Sequence, residues 1–264
     1  MPELPEVETV VRTIASRLVG RRIAGAEFGS RRVVAGNPDE AAAALRGRKV
    51  TGVRRHGKFI VIELSGGRLL LVHLGMTGKL LMGGRPGPHT HAVLRLDRGA
   101  LLYDDPRQFG RIEVADALPA RLARLGPEPL EIALSEFAAR LKRRKARMKA
   151  VLLDQTFLRG LGNIYADEAL FRARIHPLSV AARLRRPRVE RLYEAIREVL
   201  REAIAAGGSS VSDYVDADGR KGFFQFSHRV YQRTGQPCLA CQAAIRRVLV
   251  AQRGTHFCPC CQRR

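Results

Sequence analysis

Two groups of residues in this chain have the types and spacing to do chemistry, and they lie at its opposite ends. The chain opens Met1-Pro2-Glu3-Leu4-Pro5-Glu6-Val7-Glu8. If Met1 is removed, the new terminus is a proline whose secondary α-amine has a reference pKa of ~8, against ~10.4 for a lysine. A useful fraction of that amine is then unprotonated near neutrality, and it can attack an electrophilic carbon to form an iminium, as a Schiff-base lysine does. The partial positive charge of a helix N-terminus would lower its pKa, while Glu3 and Glu6 oppose that shift. At the other end, Cys238-x2-Cys241-x16-Cys258-x2-Cys261 places two close thiol pairs on either side of a hairpin-length segment. That is the spacing of a tetrahedral Zn²⁺ site. Four thiolates leave no open position, so the one metal ion would be structural and would fold the tail instead of activating water. Cys260 offers a different fourth ligand, although the two-residue spacing favours Cys258 with Cys261.

The elements that must position these groups are partly legible. Val7, Val10, Val11, Ile14 and Leu18 recur at helical spacing behind Pro5 and two glutamates, which predicts a helix directly after residue 3. Taken alone, acids and a proline at that point are ordinary capping. From about residue 22 to residue 114 the chain predicts short strands, among them 58–64, 68–73, 91–96 and 100–103, punctuated by Gly66-Gly67 and Gly83-Gly84. An antiparallel sandwich or barrel follows from that pattern. Leu125-Gly126-Pro127-Glu128-Pro129 cannot continue a helix and predicts an interdomain hinge. Beyond it, helical periodicity covers 135–147, 148–157, 165–173 and 189–206, the last ended by Gly207-Gly208. The expected fold class is α+β: an N-terminal antiparallel β-sandwich domain with a leading helix (1–125), a linker (126–134), a helical domain (135–230) and a β-hairpin zinc finger (231–264).

Lysine and arginine number 47 against 25 acids in 264 residues, a formal charge of +22, with a pI near 11.1. Four thiolates and one Zn²⁺ add −2 and leave +20, still the footprint of a polyanion binder. Nucleic acid is the leading partner and an anionic membrane the other. No run of ~20 apolar residues exists to span a bilayer, and the acidic start fits neither a signal nor a transit peptide. The expected location is the cytoplasm, on the nucleoid. All five cysteines fall at or after Cys238, which suits metal binding better than a disulfide framework. Arg246, Arg247 and Arg253 between the cysteine pairs describe a basic hairpin able to enter a groove or simply to face solvent.

The opening string Pro-Glu-Leu-Pro-Glu-Val-Glu-Thr resembles the start of the formamidopyrimidine-DNA glycosylases, bifunctional enzymes of base-excision repair. Other segments resemble the same family in the same order. Arg54-Arg55-His56-Gly57-Lys58-Phe59 places Lys58 where the family carries a catalytic lysine; without the family it would be a surface lysine. His73-Leu74-Gly75-Met76-Thr77-Gly78 is similar to the loop whose methionine fills the void left by an everted base. Asp105-Pro106-Arg107-Gln108-Phe109-Gly110 resembles the loop in which an arginine meets the orphaned cytosine and a phenylalanine wedges the stack. Extruding a nucleotide costs a few kcal/mol, and something must occupy its place. Gln108 departs from the arginine or lysine usual in the family. Gly160-Leu161-Gly162-Asn163-Ile164-Tyr165-Ala166-Asp167-Glu168 looks like the helix-two-turn-helix, and Asp218-Gly219-Arg220-Lys221-Gly222-Phe223-Phe224 like the lesion-capping loop. The run Lys142-Arg143-Arg144-Lys145 then reads as a phosphate track.

The resemblance implies a glycosylase and abasic-site lyase that removes oxidised purines, 8-oxoguanine and formamidopyrimidines, from double-stranded DNA held in a basic cleft. It implies Pro2 as nucleophile, Glu3 as proton donor, and Lys58 and Arg253 as supporting proton donors or phosphate anchors. It also implies DNA contacts at His73, Met76, His89, Arg107, Phe109, Arg144, Lys149 and Asn163, no redox cofactor, and a monomer. Two alternatives stand beside it: an endonuclease VIII-like enzyme acting on oxidised pyrimidines, and a non-catalytic zinc-ribbon DNA-binding protein, which has no use for Pro2.

Overall fold

The apolar stripe near the start of the chain forms its helix, α1 (Leu4–Leu18), with a proline in the first turn and Glu3 as N-cap. Val7, Val10, Val11, Ile14 and Leu18 are buried. The computed structural model describes residues 1–211 and 213–264, in two compact units: Met1–Ala123 with Ala206–Phe223, and Arg124–Ala205 with Phe224–Arg264. In the first unit α1 is followed by β1 (Ile23–Phe28), α2 (Pro38–Leu45), β2 (Val50–His56), β3 (Phe59–Leu64), β4 (Leu69–His73), β5 (Lys79–Met82), β6 (Thr90–Leu96), β7 (Ala100–Asp104), β8 (Arg111–Ala115) and the short α3 (Ala120–Ala123).

The strands form two four-stranded antiparallel sheets, ordered β1-β6-β7-β5 and β2-β3-β4-β8. Their inner faces share one core with α1, to which β3 contributes Ile60, Ile62 and Leu64 and β4 contributes Leu70 and Val72. Val61 and Leu71, on the opposite face, are buried as well. Strands covered on both faces read as unbroken apolar runs, which is why these two are the most legible. Helix α2 interrupts the stretch whose pattern predicts strands, and Asn37 caps it by accepting from the Asp39 N–H at 2.9 Å.

The second unit contains α4 (Leu134–Lys142), α5 (Met148–Leu153), α6 (Asn163–Arg172), α7 (Arg186–Ala205) and the hairpin β9 (Arg246–Val250) with β10 (Arg253–Phe257). The helix expected over 135–147 stops at Lys142, because no large apolar residue follows Leu141 until Met148. The expected linker 126–134 is tied to the rest of the second unit. The Gly126 N–H donates to the Gln155 carbonyl at 2.8 Å, and Tyr193 Oη donates to the Ile132 carbonyl at 2.8 Å. Ala206–Phe223, inside the expected domain 135–230, is grouped with the first unit. Among the described residues no helix is long and apolar enough to cross a membrane.

Candidate active site and nucleic-acid interface

Pro2 is buried at the head of α1, beside the buried carboxylates of Glu3 and Glu6. Glu6 holds this corner together. Its Oε2 accepts from the Glu3 N–H at 2.8 Å and its Oε1 accepts from the Ser209 N–H at 2.7 Å. The Tyr214 hydroxyl donates to the Glu6 carbonyl at 3.2 Å. Gly208 has φ +85, and a Cβ there would lie 3.0 Å from Glu6 Cγ, so glycine permits the approach. A carboxylate that would otherwise be stranded in the interior is therefore satisfied with help from a donor 203 residues away in sequence. This is what returns 206–223 to the first unit. The same return segment continues into the loop expected to cap the lesion, which is pinned by the Met82 N–H to the Ala217 carbonyl (3.0 Å) and by the Gly222 N–H to Ser210 Oγ (2.9 Å). Phe223 on it is exposed.

Lys58 is the second turn residue between β2 and β3, after Gly57 at φ +60, and is buried instead of lying on the surface. Opposite, at the end of β4, burial and then the Lys58 charge lower the His73 imidazole to about 4. His73 is thus neutral near pH 7. Its Nδ1 accepts from the Gly75 N–H at 3.1 Å, so it shapes the loop that carries Met76.

That loop meets the 105–110 loop through Asp105, which is fully buried. The Asp105 carboxylate accepts from Thr77 Oγ1 (2.6 Å), Gly110 N–H (2.8 Å), Tyr103 Oη (3.2 Å) and Arg107 N–H (3.3 Å). The Asp105 N–H donates to the carbonyl of the exposed His89 at 2.9 Å. With its base so fixed, the pair of loops exposes Met76, Arg107 and Phe109, with the Arg107 guanidinium 4.5 Å from the Phe109 ring centroid. Between them Gln108 takes φ +53, and its Oε1 accepts from Ser30 Oγ at 2.8 Å. The residue that departs from the family is thus anchored inward while its neighbours project. Gly75, at φ +61, has no room for a side chain: a Cβ would lie 2.5 Å from Gly110 N and from the Phe109 carbonyl carbon. Gly75→Ala is expected to cost about 2–4 kcal/mol in urea unfolding through backbone strain and overpacking. It should also slow lesion cleavage about tenfold by separating the two loops.

In the second unit, Asn163 begins α6 and its Nδ2 donates to the Gly254 carbonyl at 3.0 Å, tying the helix to β10. Gly254 follows Arg253, which is exposed at the start of β10 after the turn residues Ala251 (φ +48) and Gln252 (φ +58). Arg144 is half-buried and pairs with Asp154 at 3.1 Å. The expectation for Lys149 is corrected. Lys149 is fully buried, and its Nζ donates to Asp167 Oδ1 at 2.6 Å and to the Asn163 carbonyl at 2.7 Å. It positions Asn163 and cannot itself meet a phosphate. Asp167 Oδ2 also accepts from the His256 N–H at 2.8 Å. Neighbouring Glu168 accepts from the backbone N–H groups of Arg229, Val230 and Tyr231 at 2.9–3.0 Å. Lys149→Met leaves Asp167 without its cation and is expected to destabilise this unit by about 3–5 kcal/mol, read from thermal unfolding.

The sulfurs of Cys238, Cys241, Cys258 and Cys261 lie within 4.8 Å of one another, with 3.9 Å between Cys238 and Cys261 and 3.4 Å between Cys241 and Cys258. Tetrahedral Zn–thiolate bonds of about 2.3 Å require sulfurs about 3.8 Å apart, so the cluster fits the ion. Cys260 is exposed and outside it.

Likeness to known proteins decides the family. Residues 1–112 match the formamidopyrimidine-DNA glycosylase N-terminal domain, 125–215 its H2TH domain, and 235–264 the zinc finger found in FPG and IleRS. A formamidopyrimidine-DNA glycosylase of Solibacter usitatus is 65% identical over 265 residues, covering all of both chains. The chain belongs to the formamidopyrimidine-DNA glycosylase family. The crystal structure of MutM (FPG) from Thermus thermophilus superposes with a TM-score of 0.90 at 45% identity, covering 99% of this chain and 98% of that one. A Lactococcus lactis FPG mutant in complex with a Fapy-dG containing DNA gives 0.93 at 37% identity, with both chains fully covered.

The chain is accordingly a base-excision repair DNA glycosylase with abasic-site lyase activity and an FPG-type zinc finger. Sequence reasoning about it missed Glu6, Asp105, Asp167 and Tyr214 as the groups that hold the site. The Asp-Pro step at Asp105 was a turn signal, and Glu6 stood at a capping position. Neither announced its distant partners.

Proposed function

We propose that this glycosylase excises oxidised purines by covalent catalysis from Pro2 and cuts the strand on both sides of the lesion. Met1 acylates the Pro2 nitrogen until it is removed; the freed amine then attacks C1′ of the everted nucleotide. The bond from C1′ to the base breaks, the base leaves with the electron pair and takes up the proton shed by the amine, and Glu3 protonates the ring oxygen as the sugar opens to an iminium. The iminium acidifies the C2′ hydrogen, so loss of that proton expels the 3′ phosphate. A second loss, from C4′, expels the 5′ phosphate. Lys58 and Arg253 act as proton donors or phosphate anchors in these eliminations. His73 and His89 support the loops that face DNA. Met76, Arg107 and Phe109 fill the gap left by eversion, and Arg144 and Asn163 contact the backbone. The enzyme acts as a monomer on the nucleoid.

The observation that supports this reading is the burial of Pro2 beside Glu3, whose backbone N–H is held through Glu6, itself held by Ser209. The test is sodium borohydride added to reactions on duplexes containing 8-oxoguanine or thymine glycol. A trapped adduct mapped to Pro2, formed faster with 8-oxoguanine, is expected. Preference for thymine glycol would sink the purine assignment, and cleavage without any adduct would sink the mechanism.

A further inference from the structure

We propose that the second unit carries an anion site for a phosphate group, in a cavity of about 280 Å³ whose lining includes Arg147, Ser179, Arg183, Arg188 and Arg264. Among the described residues no carboxylate side chain lines this cavity, and none of the four arginines pairs with one. Ser179 is the second, independent observation. It is 6% exposed, and its hydroxyl has no hydrogen-bond partner among the described residues. Its backbone is tied by the Ser179 N–H, which donates to the His176 carbonyl at 2.9 Å, and by its carbonyl, which accepts from the Met148 N–H at 2.8 Å, so relief must come from rotation of the side chain. A buried hydroxyl without a partner costs about 1–3 kcal/mol, which an acceptor in the cavity would recover once the side chain turns toward it.

Two of the arginines are oriented but not used up. Arg147 Nη1 donates to the Leu178 carbonyl at 2.8 Å and Arg188 Nη2 to the Arg263 carbonyl at 2.7 Å. One bond each leaves most of a guanidinium's five N–H groups for a ligand. Burial and then the charge of Arg191 hold Arg188 below the ordinary arginine range, and a bound anion opposes both effects. Four guanidinium forks and one hydroxyl exceed what a carboxylate can accept and match the several oxygens of a phosphate. The phosphate belongs either to a DNA strand or to a free phosphate compound. The site uses no residue assigned above to chemistry or lesion contact and stands whether or not the Pro2 mechanism does.

The test titrates the zinc-loaded full chain with inorganic pyrophosphate at constant ionic strength by calorimetry. Saturable binding is expected, weakened about fivefold by Ser179→Ala and at least tenfold by Arg183→Gln with Arg188→Gln. Arg183→Gln alone is the control for folding, because Arg183 is exposed. It should weaken pyrophosphate while keeping the wild-type melting temperature. A second arm measures the salt dependence of binding to a 30-base-pair undamaged duplex. A slope reduced by about one in Arg183→Gln identifies the source as DNA, and an unchanged slope with weakened pyrophosphate binding identifies a free compound. If pyrophosphate gives no saturable heat and the duplex slope is also unchanged, or if the variants bind pyrophosphate as wild type does, the site does not exist.

Discussion

Acetylating the Pro2 nitrogen after removal of Met1 is expected to lower lesion cleavage by at least about 10⁴-fold, the scale of losing a covalent nucleophile. Duplex affinity should stay within about threefold. An amide nitrogen has given its lone pair to the carbonyl and can neither attack C1′ nor carry an iminium. The acetyl group is smaller than the methionine that the site already accommodates, with Met1 46% exposed and Pro2 buried behind it, so the fold should not register the change. Single-turnover cleavage and borohydride trapping should disappear together. The control is Pro2→Gly, which keeps an α-amine of similar reference pKa and should retain measurable trapping. The most damaging result would be undiminished cleavage by the acetylated protein with the adduct mapped to Lys58. That lysine is buried close enough to His73 to depress its imidazole, and it would then be the nucleophile.

What is legible in the chain of residues follows from how local each signal is. The opening octapeptide, the cysteine spacing and the double-faced apolar strands β3 and β4 each carry their meaning within a few residues. The support of the site does not. Glu6 looks like a capping acid, and only the folded chain brings Ser209 and Tyr214 to it. Asp105 looks like a turn residue, yet it joins the Met76 loop to the Arg107 loop through Thr77 and Gly110. Lys149 sits just past a run of cations and reads as one more of them. Its burial is set by Asp167, eighteen residues on, which no spacing rule singles out. Nor does the double glycine after α7 reveal that the chain there leaves the helical unit. The glycines mark the end of the helix, and the destination is chosen by the demand of the buried Glu6 carboxylate for donors.

Zinc removal should have the other large effect. The core beneath the cysteine module contains Val230, Cys238, Ile245 and Cys258 as its buried members, too little apolar surface to fold a segment of this length without a staple. Structural Zn²⁺ contributes an apparent ~10–16 kcal/mol in comparable modules, so its loss leaves the hairpin unfolded. The damage should then travel. Gly254 would no longer receive the Asn163 amide, His256 would leave Asp167, and the bond from Gln262 Nε2 to the Ile175 carbonyl at 2.9 Å would be lost. Asn163 and Arg253 would thus be displaced by a single event, which is why a metal outside the chemistry should control DNA binding. Chelation, or Cys258→Ser, is expected to reduce duplex affinity by more than about 100-fold. Amide exchange protection should vanish across 235–264 and weaken in α6 while remaining intact in β3 and β4. Retention of wild-type affinity by the zinc-free protein would show that the hairpin contributes nothing to holding DNA, and would remove Arg253 from the eliminations as well.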